Sequence, residues 1–217
     1  MSRLALPSNF PSWRPETTPE TLPTGIHEVD ALLTGFPRGR ITEITGPASS
    51  GRTSLLASIL SAATRRGETC ALIDAHDAFD PTSGAASGID LNKLIWVRCG
   101  GNAGHAMKAT DLLIHAGGFG AVALDFTDVP ARITNHIPAS WWFRFRHAVE
   151  NTPTVFAILS ATPQARSCAA MQVEMKRESA RFAGKFPFQL LCGADYRIVP
   201  RKPVRPAPAR FHVKALG

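Results

Sequence analysis

From residue 41 onward the apolar positions change period again and again. Ile41–Thr45 is a short, largely apolar run, and Leu55, Leu56, Ile59, Leu60 and Ala63 then recur at helical spacing. Thr69–Ala75, Leu94–Cys99, Ala121–Phe126 and Thr154–Ala161 are further compact apolar runs. Between them the pattern predicts helices over 53–66, 105–116 and 137–150, the last with Ser140 as a candidate cap. A strand that is apolar at every position is buried on both faces, which a sheet layered between helices provides. Strand and helix in alternation predict parallel pairing. Upstream, Thr24 is placed to cap a short helix with Ile26, Val29, Leu32 and Leu33 on one face, and Gly35 to stop it. Downstream, MQVEMKRE and DYRIVPRK alternate with period two around the turn region FAGKFPF, which predicts antiparallel edge strands. The expected fold is an α/β core with a mostly parallel sheet, helices on both faces and antiparallel edge strands at the C-terminal end.

The ends read differently. Prolines at 7, 11, 15 and 19 interrupt residues 1–20, which suits an extended arm. Phe10 and Trp13 in that arm admit two readings, an anchor in a neighbouring molecule's groove or packing on their own domain. The core is expected over 21–199, and 200–217 as a basic, proline-rich tail. From Arg197 on there are Arg197, Arg201, Lys202, Arg205, Arg210 and Lys214 with no acidic residue. A phosphate-tracking arm and a solvated surface strand both satisfy that pattern.

Composition narrows the setting. A chain of 217 residues builds one core, and 44% hydrophobic residues without a bilayer-length apolar run predicts a globular protein with no membrane span. Four scattered cysteines, Cys70, Cys99, Cys168 and Cys192, suggest neither a zinc site nor a disulfide framework, so a reducing cytoplasm is expected. A formal charge of +7 admits nucleic acid as a partner.

The candidate chemistry begins with GPASSGRT, residues 46–53. It follows the phosphate-loop pattern GxxxxGK[ST], with Gly46 and Gly51 at the glycine positions, Thr53 at the hydroxyl position and Arg52 in place of lysine. The glycines let backbone N–H groups and a helix N-terminus converge on an anion. Arginine keeps the charge but is longer, planar and forked, so it holds a phosphate without following one in transfer. Asp125, at the end of the apolar run AVALD, sits where such proteins hold magnesium, usually through water; its bland reading is a loop cap. In PASWWFRFRHAVE, the aromatics interleaved with Arg144, Arg146 and His147 could stack bases and pair phosphates, whereas the shared face of Trp142, Phe145 and Val149 favours core.

Read together, LPTGIHEVDALL, FPRGRITEITGPASSGRTSLL, ALIDAHDAFDP and GIDLNKLIWVR resemble the opening half of a RecA-type recombinase core, over about residues 22–126. DLNKLIWVRCGG and SWWFRFRHAVE, with the chain's size, are similar to the ImuA family, RecA-like accessory proteins of bacterial inducible mutagenesis. The resemblance implies a phosphate loop at Gly46, Ser49, Ser50, Gly51, Arg52 and Thr53, an adenine-side Asp80, and magnesium at Thr53 and Asp125 if nucleotide binds. It also exposes departures. His76 stands where the family has a water-orienting glutamate, with Asp77 one residue off; Ser83 stands for a base-stacking tyrosine; Gln164 lies displaced, past Pro163, from the γ-phosphate-sensing glutamine. For His76 the bland reading is a satisfied structural histidine. ATP and magnesium are therefore optional ligands, and any ATPase activity is expected to be weak.

What the likeness implies is an interaction module in damage-induced (SOS) mutagenesis and translesion synthesis. Its partners would be RecA, ImuB and through it an error-prone replicative-type DNA polymerase, together with single-stranded DNA and self-association, in a nucleoid-associated cytoplasmic setting. Arg144, Arg146, Arg197, Arg201, Lys202, Arg205, Arg210 and Lys214 are the candidate nucleic-acid or partner contacts. The alternative is a DNA-dependent ATPase or a single-stranded-DNA-binding recombination or repair factor.

Overall fold

The computed structural model describes residues 20–184, 188–203 and 208–214. Arm residues 1–19, with Phe10 and Trp13, and Arg205 lie outside the described residues. In chain order the elements are β1 (Thr21–Leu22), α1 (His27–Leu33), β2 (Phe36–Pro37), β3 (Arg40–Thr45), α2 (Arg52–Arg65), β4 (Cys70–Asp74), α3 (Pro81–Ala86) and β5 (Leu94–Arg98). There follow α4 (Ala103–Ala116), β6 (Ala121–Asp125), α5 (Ala131–Thr134), α6 (Ala139–Val149), β7 (Val155–Ser160), β8 (Met171–Ala183), β9 (Leu190–Lys202) and β10 (Ala209–Lys214).

Eight strands form one sheet in the order β10-β9-β8-β3-β7-β6-β4-β5. Pairing is parallel from β5 through β8 and antiparallel from β8 to β10. The continuous apolar runs have the burial they imply: every residue of β4 and β7 is buried. Alternation along β7 sends Val155, Ala157 and Leu159 into one core with Leu55, Leu56, Ile59 and Leu60 of α2. Phe156 and Ile158 enter the other, with α4 and α6.

Several local expectations shift. Thr24 is not the N-cap of α1, which is Ile26. The Thr24 hydroxyl and N–H and the Gly25 N–H instead donate to the Asp30 carboxylate at 2.8–3.0 Å, so an acid inside the helix organises its own entry. The helix ends at Thr34 in the left-handed region, followed by Gly35 at φ 93°. A Cβ on Gly35 would lie 2.7 Å from the Leu22 carbonyl oxygen, which is why glycine stands there. Pro138, not Ser140, precedes the first turn of α6.

The aromatic stripe of α6 is core: Trp142, Phe145 and Val149 are buried, and Phe145 meets Phe156 edge-on at 5.7 Å. Base stacking by Trp142 and Phe145 is thereby excluded in this fold. β8 pairs with β3 on its other side and is interior; β10 is the edge strand at this end of the sheet. The tail boundary at 199/200 falls within β9, and β10 continues the sheet with Phe211 buried beneath it. Of the two readings of the basic stretch, the described residues form the surface strand, because Phe211 packs on Tyr196 with ring centroids 5.8 Å apart. All four cysteines are free, and among the described residues no helix is long and apolar enough to cross a membrane.

Candidate nucleotide site

Parallel pairing brings the ends of β3, β4 and β6 to one edge of the sheet. The loop from β3 to α2 takes the backbone its glycines allow: Gly46 has φ 150°, Ser49 φ 57° and Gly51 φ 88°. It fits tightly beneath the β8–β9 hairpin. A Cβ on Gly46 would run into the Met175 carbonyl oxygen, and one on Gly51 would lie 2.7 Å from the Tyr196 ring. No side chain among the described residues caps α2, so its first-turn N–H groups remain available to an anion.

A cavity of about 240 Å³ lies between loop and hairpin, lined among others by Ser50, Arg52, Thr53, Thr127, Arg177 and Tyr196. Arg52 is only 3% exposed, yet its Nη1 has no hydrogen-bond partner among the described residues. The Ser50 Oγ is also buried without a partner among the described residues. Burial pushes the Arg52 pKa down, and the charges of Asp125 and Asp128 partly offset this. Asp125 closes β6, and its Oδ1 accepts the Thr127 N–H at 2.8 Å. Burial raises its carboxyl pKa against the pull of the Thr127 hydrogen bonds and Arg52. The structure thus gathers Ser49, Ser50, Gly51, Arg52 and Thr53 around one cavity, with Asp125 close enough to Arg52 for their charges to interact.

A second cavity of about 530 Å³ adjoins the first, sharing Ser54, Leu191, Ala194 and Tyr196 with it. Ser83, Ser87, His212 and Lys214 contribute to its wall. Asp80, expected on the adenine side, sits at the N-terminus of α3 beside that wall. Its carboxylate caps α3, accepting from Thr82 N–H (3.2 Å), Ser83 N–H (2.9 Å) and Ser83 Oγ (2.6 Å), and these bonds, the Ser83 pair foremost, lower its pKa. Ser83 itself faces the cavity.

The positions expected for hydrolysis are occupied otherwise. His76 is exposed, which corrects its reading as a satisfied structural histidine. Asp77, at φ 59°, accepts the Gly100 N–H (3.2 Å) and pairs with Arg98 (3.1 Å). The Gln164 side chain turns back onto Thr162, at 2.8 Å to its carbonyl and 3.2 Å to its hydroxyl.

Most of the basic candidates have partners. Arg144 makes a two-pronged pair with Asp111 (2.6 and 2.7 Å), Arg197 and Arg210 pair with Glu178 (3.2 and 2.8 Å), and Arg201 pairs with Glu174. Lys202 donates to the Ser167 and Ala169 carbonyls. Arg146 and Lys214 are exposed. Most of the described basic candidates are thus held in surface ion pairs or hydrogen bonds.

Sequence reasoning missed two residues of weight. Glu43, fully buried in β3, accepts the N–H groups of Gln164 (2.5 Å), Ala165 (2.6 Å) and Arg166 (3.1 Å) and the Gln172 amide (2.8 Å). It pins the loop after β7, and a lone acid inside ITEIT was the available signal. The other is Arg177. In β8, Val173, Met175 and Arg177 share a face by alternation; the first two are core, and Arg177 emerges over the phosphate loop opposite Tyr196.

Comparison with known proteins matches residues 13–134 to the RecA N-terminal domain family. The protein RecA of Rickettsia canadensis (strain McKiel) is 39% identical over 114 residues, 52% of this chain and 33% of that protein. The RecA of Bifidobacterium longum (strain NCC 2705) is 38% identical over 114 residues, covering 52% and 28%. The RecA of Haemophilus ducreyi is 39% identical over 108 residues, covering 49% and 29%. The chain thus spans about a third or less of the length of the curated relatives it matches. With the family match extending over more than half of its residues, the chain belongs to the RecA N-terminal domain family.

Proposed function

We propose that the chain is a RecA-like accessory protein of the ImuA type, acting in DNA-damage-induced mutagenesis and translesion synthesis as an interaction module. The observation that carries the reading is a phosphate loop kept in backbone detail beside a hydrolytic apparatus that is not kept. Gly46 and Gly51 hold the turn, while Arg52 is buried, His76 is exposed, Asp77 is tied to Arg98 and Gln164 to Thr162. Phosphoryl transfer depends on positioning water and following charge on the moving group, and none of these side chains is placed to do either.

The nucleotide such a site would take is ATP or ADP, with phosphates at the loop and the nucleoside in the adjoining cavity. A magnesium ion would fall to Thr53 and, through water, Asp125. The fit is poor, because a buried guanidinium with an unpaired nitrogen already brings positive charge into that space. Four free cysteines suit a reducing cytoplasm. The partners proposed are RecA, an ImuB-type protein and through it an error-prone polymerase. Retention of purified RecA or ImuB-type protein by the immobilised chain at low salt tests the reading; retention of neither sinks it. If DNA-stimulated phosphate release appears in the same preparation, the rival reading as a DNA-dependent ATPase replaces it.

A further inference from the structure

We propose that the phosphate site is a two-arginine clamp, Arg52 from below and Arg177 from the hairpin above, which holds the phosphate end of a nucleoside di- or triphosphate without a divalent cation. The inference rests on the nucleotide reading of the loop and assigns its charge and its second wall.

The first support is unfinished hydrogen bonding. The Ser50 Oγ and Arg52 Nη1 are buried without hydrogen-bond partners among the described residues, and both residues line one cavity. Burying a guanidinium with an open donor is unfavourable unless something accepts from it. An anion does so, and the uncapped first turn of α2 adds backbone donors from the same side.

The second support is Arg177. It follows Val173 and Met175 on the inward face of β8 and stands opposite Tyr196 in register. Tyr196 is packed against Gly51, so the hairpin is held against the loop and Arg177 is held over the cavity. No carboxylate pairs with Arg177 among the described residues, because those nearest in sequence are already taken. Glu174 pairs with Arg201 and Lys176, and Glu178 with Arg197 and Arg210. Two arginines lining one cavity, one buried and one exposed, can each present paired donors to phosphate oxygens. Together they supply about the positive charge that a divalent ion would bring.

The third support is what adjoins the clamp. The larger cavity beyond Tyr196 combines an apolar wall from Ile26, Leu191 and Val213 with hydroxyls from Ser83 and Ser87, which suits a nucleoside better than more phosphate. The hairpin lies outside residues 13–134, so this wall belongs to the part of the chain beyond the family match.

Calorimetric titration of the full chain with ADP, and separately with pyrophosphate, tests the clamp in EDTA and in magnesium. Wild type should bind ADP with a Kd that moves less than ~3-fold between the two buffers, far below the loss expected if a charged partner were removed. Arg177→Ala should weaken ADP ~10- to 100-fold, the range for losing a hydrogen bond to a charged group. Arg177→Lys should recover part of that loss, and Arg201→Ala, whose ion pair lies elsewhere on the hairpin, should stay within ~2-fold of wild type. Pyrophosphate binding as tightly as ADP would keep the clamp and overturn its assignment to a nucleotide. If wild type binds but Arg177→Ala is unchanged, or EDTA abolishes binding, the clamp is overturned while the nucleotide reading stands. If wild type binds in neither buffer, the nucleotide reading fails and takes the clamp with it.

Discussion

Two buried charges flank the first long strand of the sheet and meet opposite fates. Glu43, within β3, is fully buried and accepts four hydrogen bonds from the loop after β7 and from Gln172. Arg52, seven residues beyond the end of β3, is nearly as buried and has a nitrogen without a hydrogen-bond partner among the described residues. A buried charge with its partners present is structure; a buried charge lacking one is tolerated where a ligand completes it. The contrast assigns β3 and the start of the helix that follows it to two tasks, fastening a loop and receiving an anion.

The largest test of that contrast is Glu43→Ala. It leaves the Gln164 and Ala165 N–H groups buried and unpaired, and should destabilise the fold by about 3–5 kcal/mol in denaturant unfolding. Next is Gly51→Ala, at φ 88° and with the new Cβ 2.7 Å from the Tyr196 ring. It should cost about 1–3 kcal/mol by the same measurement, since either the ring or the loop must move. Arg52→Met is the informative opposite of Glu43→Ala. Replacing an incompletely paired buried ion with a hydrophobe of similar length should change stability by less than about 1 kcal/mol, in either direction, while abolishing nucleotide binding. A stability loss as large as that of Glu43→Ala would break the comparison.

The smallest effect belongs to the solvent side of the hairpin. Asp195 accepts from Ser179 and His212 and pairs with Arg181, and these bonds hold its carboxyl down at about 2 against an ordinary value of 3.8. A depressed carboxyl pKa stabilises the fold above the unfolded value and loses that contribution as pH falls through the folded one. Stability should therefore decline between about pH 4 and about pH 2, and Asp195→Asn should flatten that part of the profile in thermal melts.

Much of this architecture could be read from the chain. The strands now seen as β4, β6 and β7 are nearly continuous apolar runs because both faces are buried, and helices α2 and α4 announce themselves by spacing. The glycines of the phosphate loop were equally legible, since only that backbone needs them in that order. What stayed hidden depends on register. That Arg201 meets Glu174, or that Glu178 serves Arg197 and Arg210, follows from how β8, β9 and β10 align, which no local pattern specifies. The basic stretch therefore read equally as an arm and as a strand until Phe211 was seen to pack on Tyr196. Arg177 was hidden for the same reason: alternation puts it on a face with Val173 and Met175, but only the folded hairpin shows that the phosphate loop lies under that face.

Single-turnover assay of bound ATP in magnesium with single-stranded DNA tests the central claim, that the site holds phosphate and does not transfer it. The account predicts that ATP is recovered intact from the complex after prolonged incubation. Repeated, DNA-stimulated phosphate release that Asp125→Ala abolishes would contradict it.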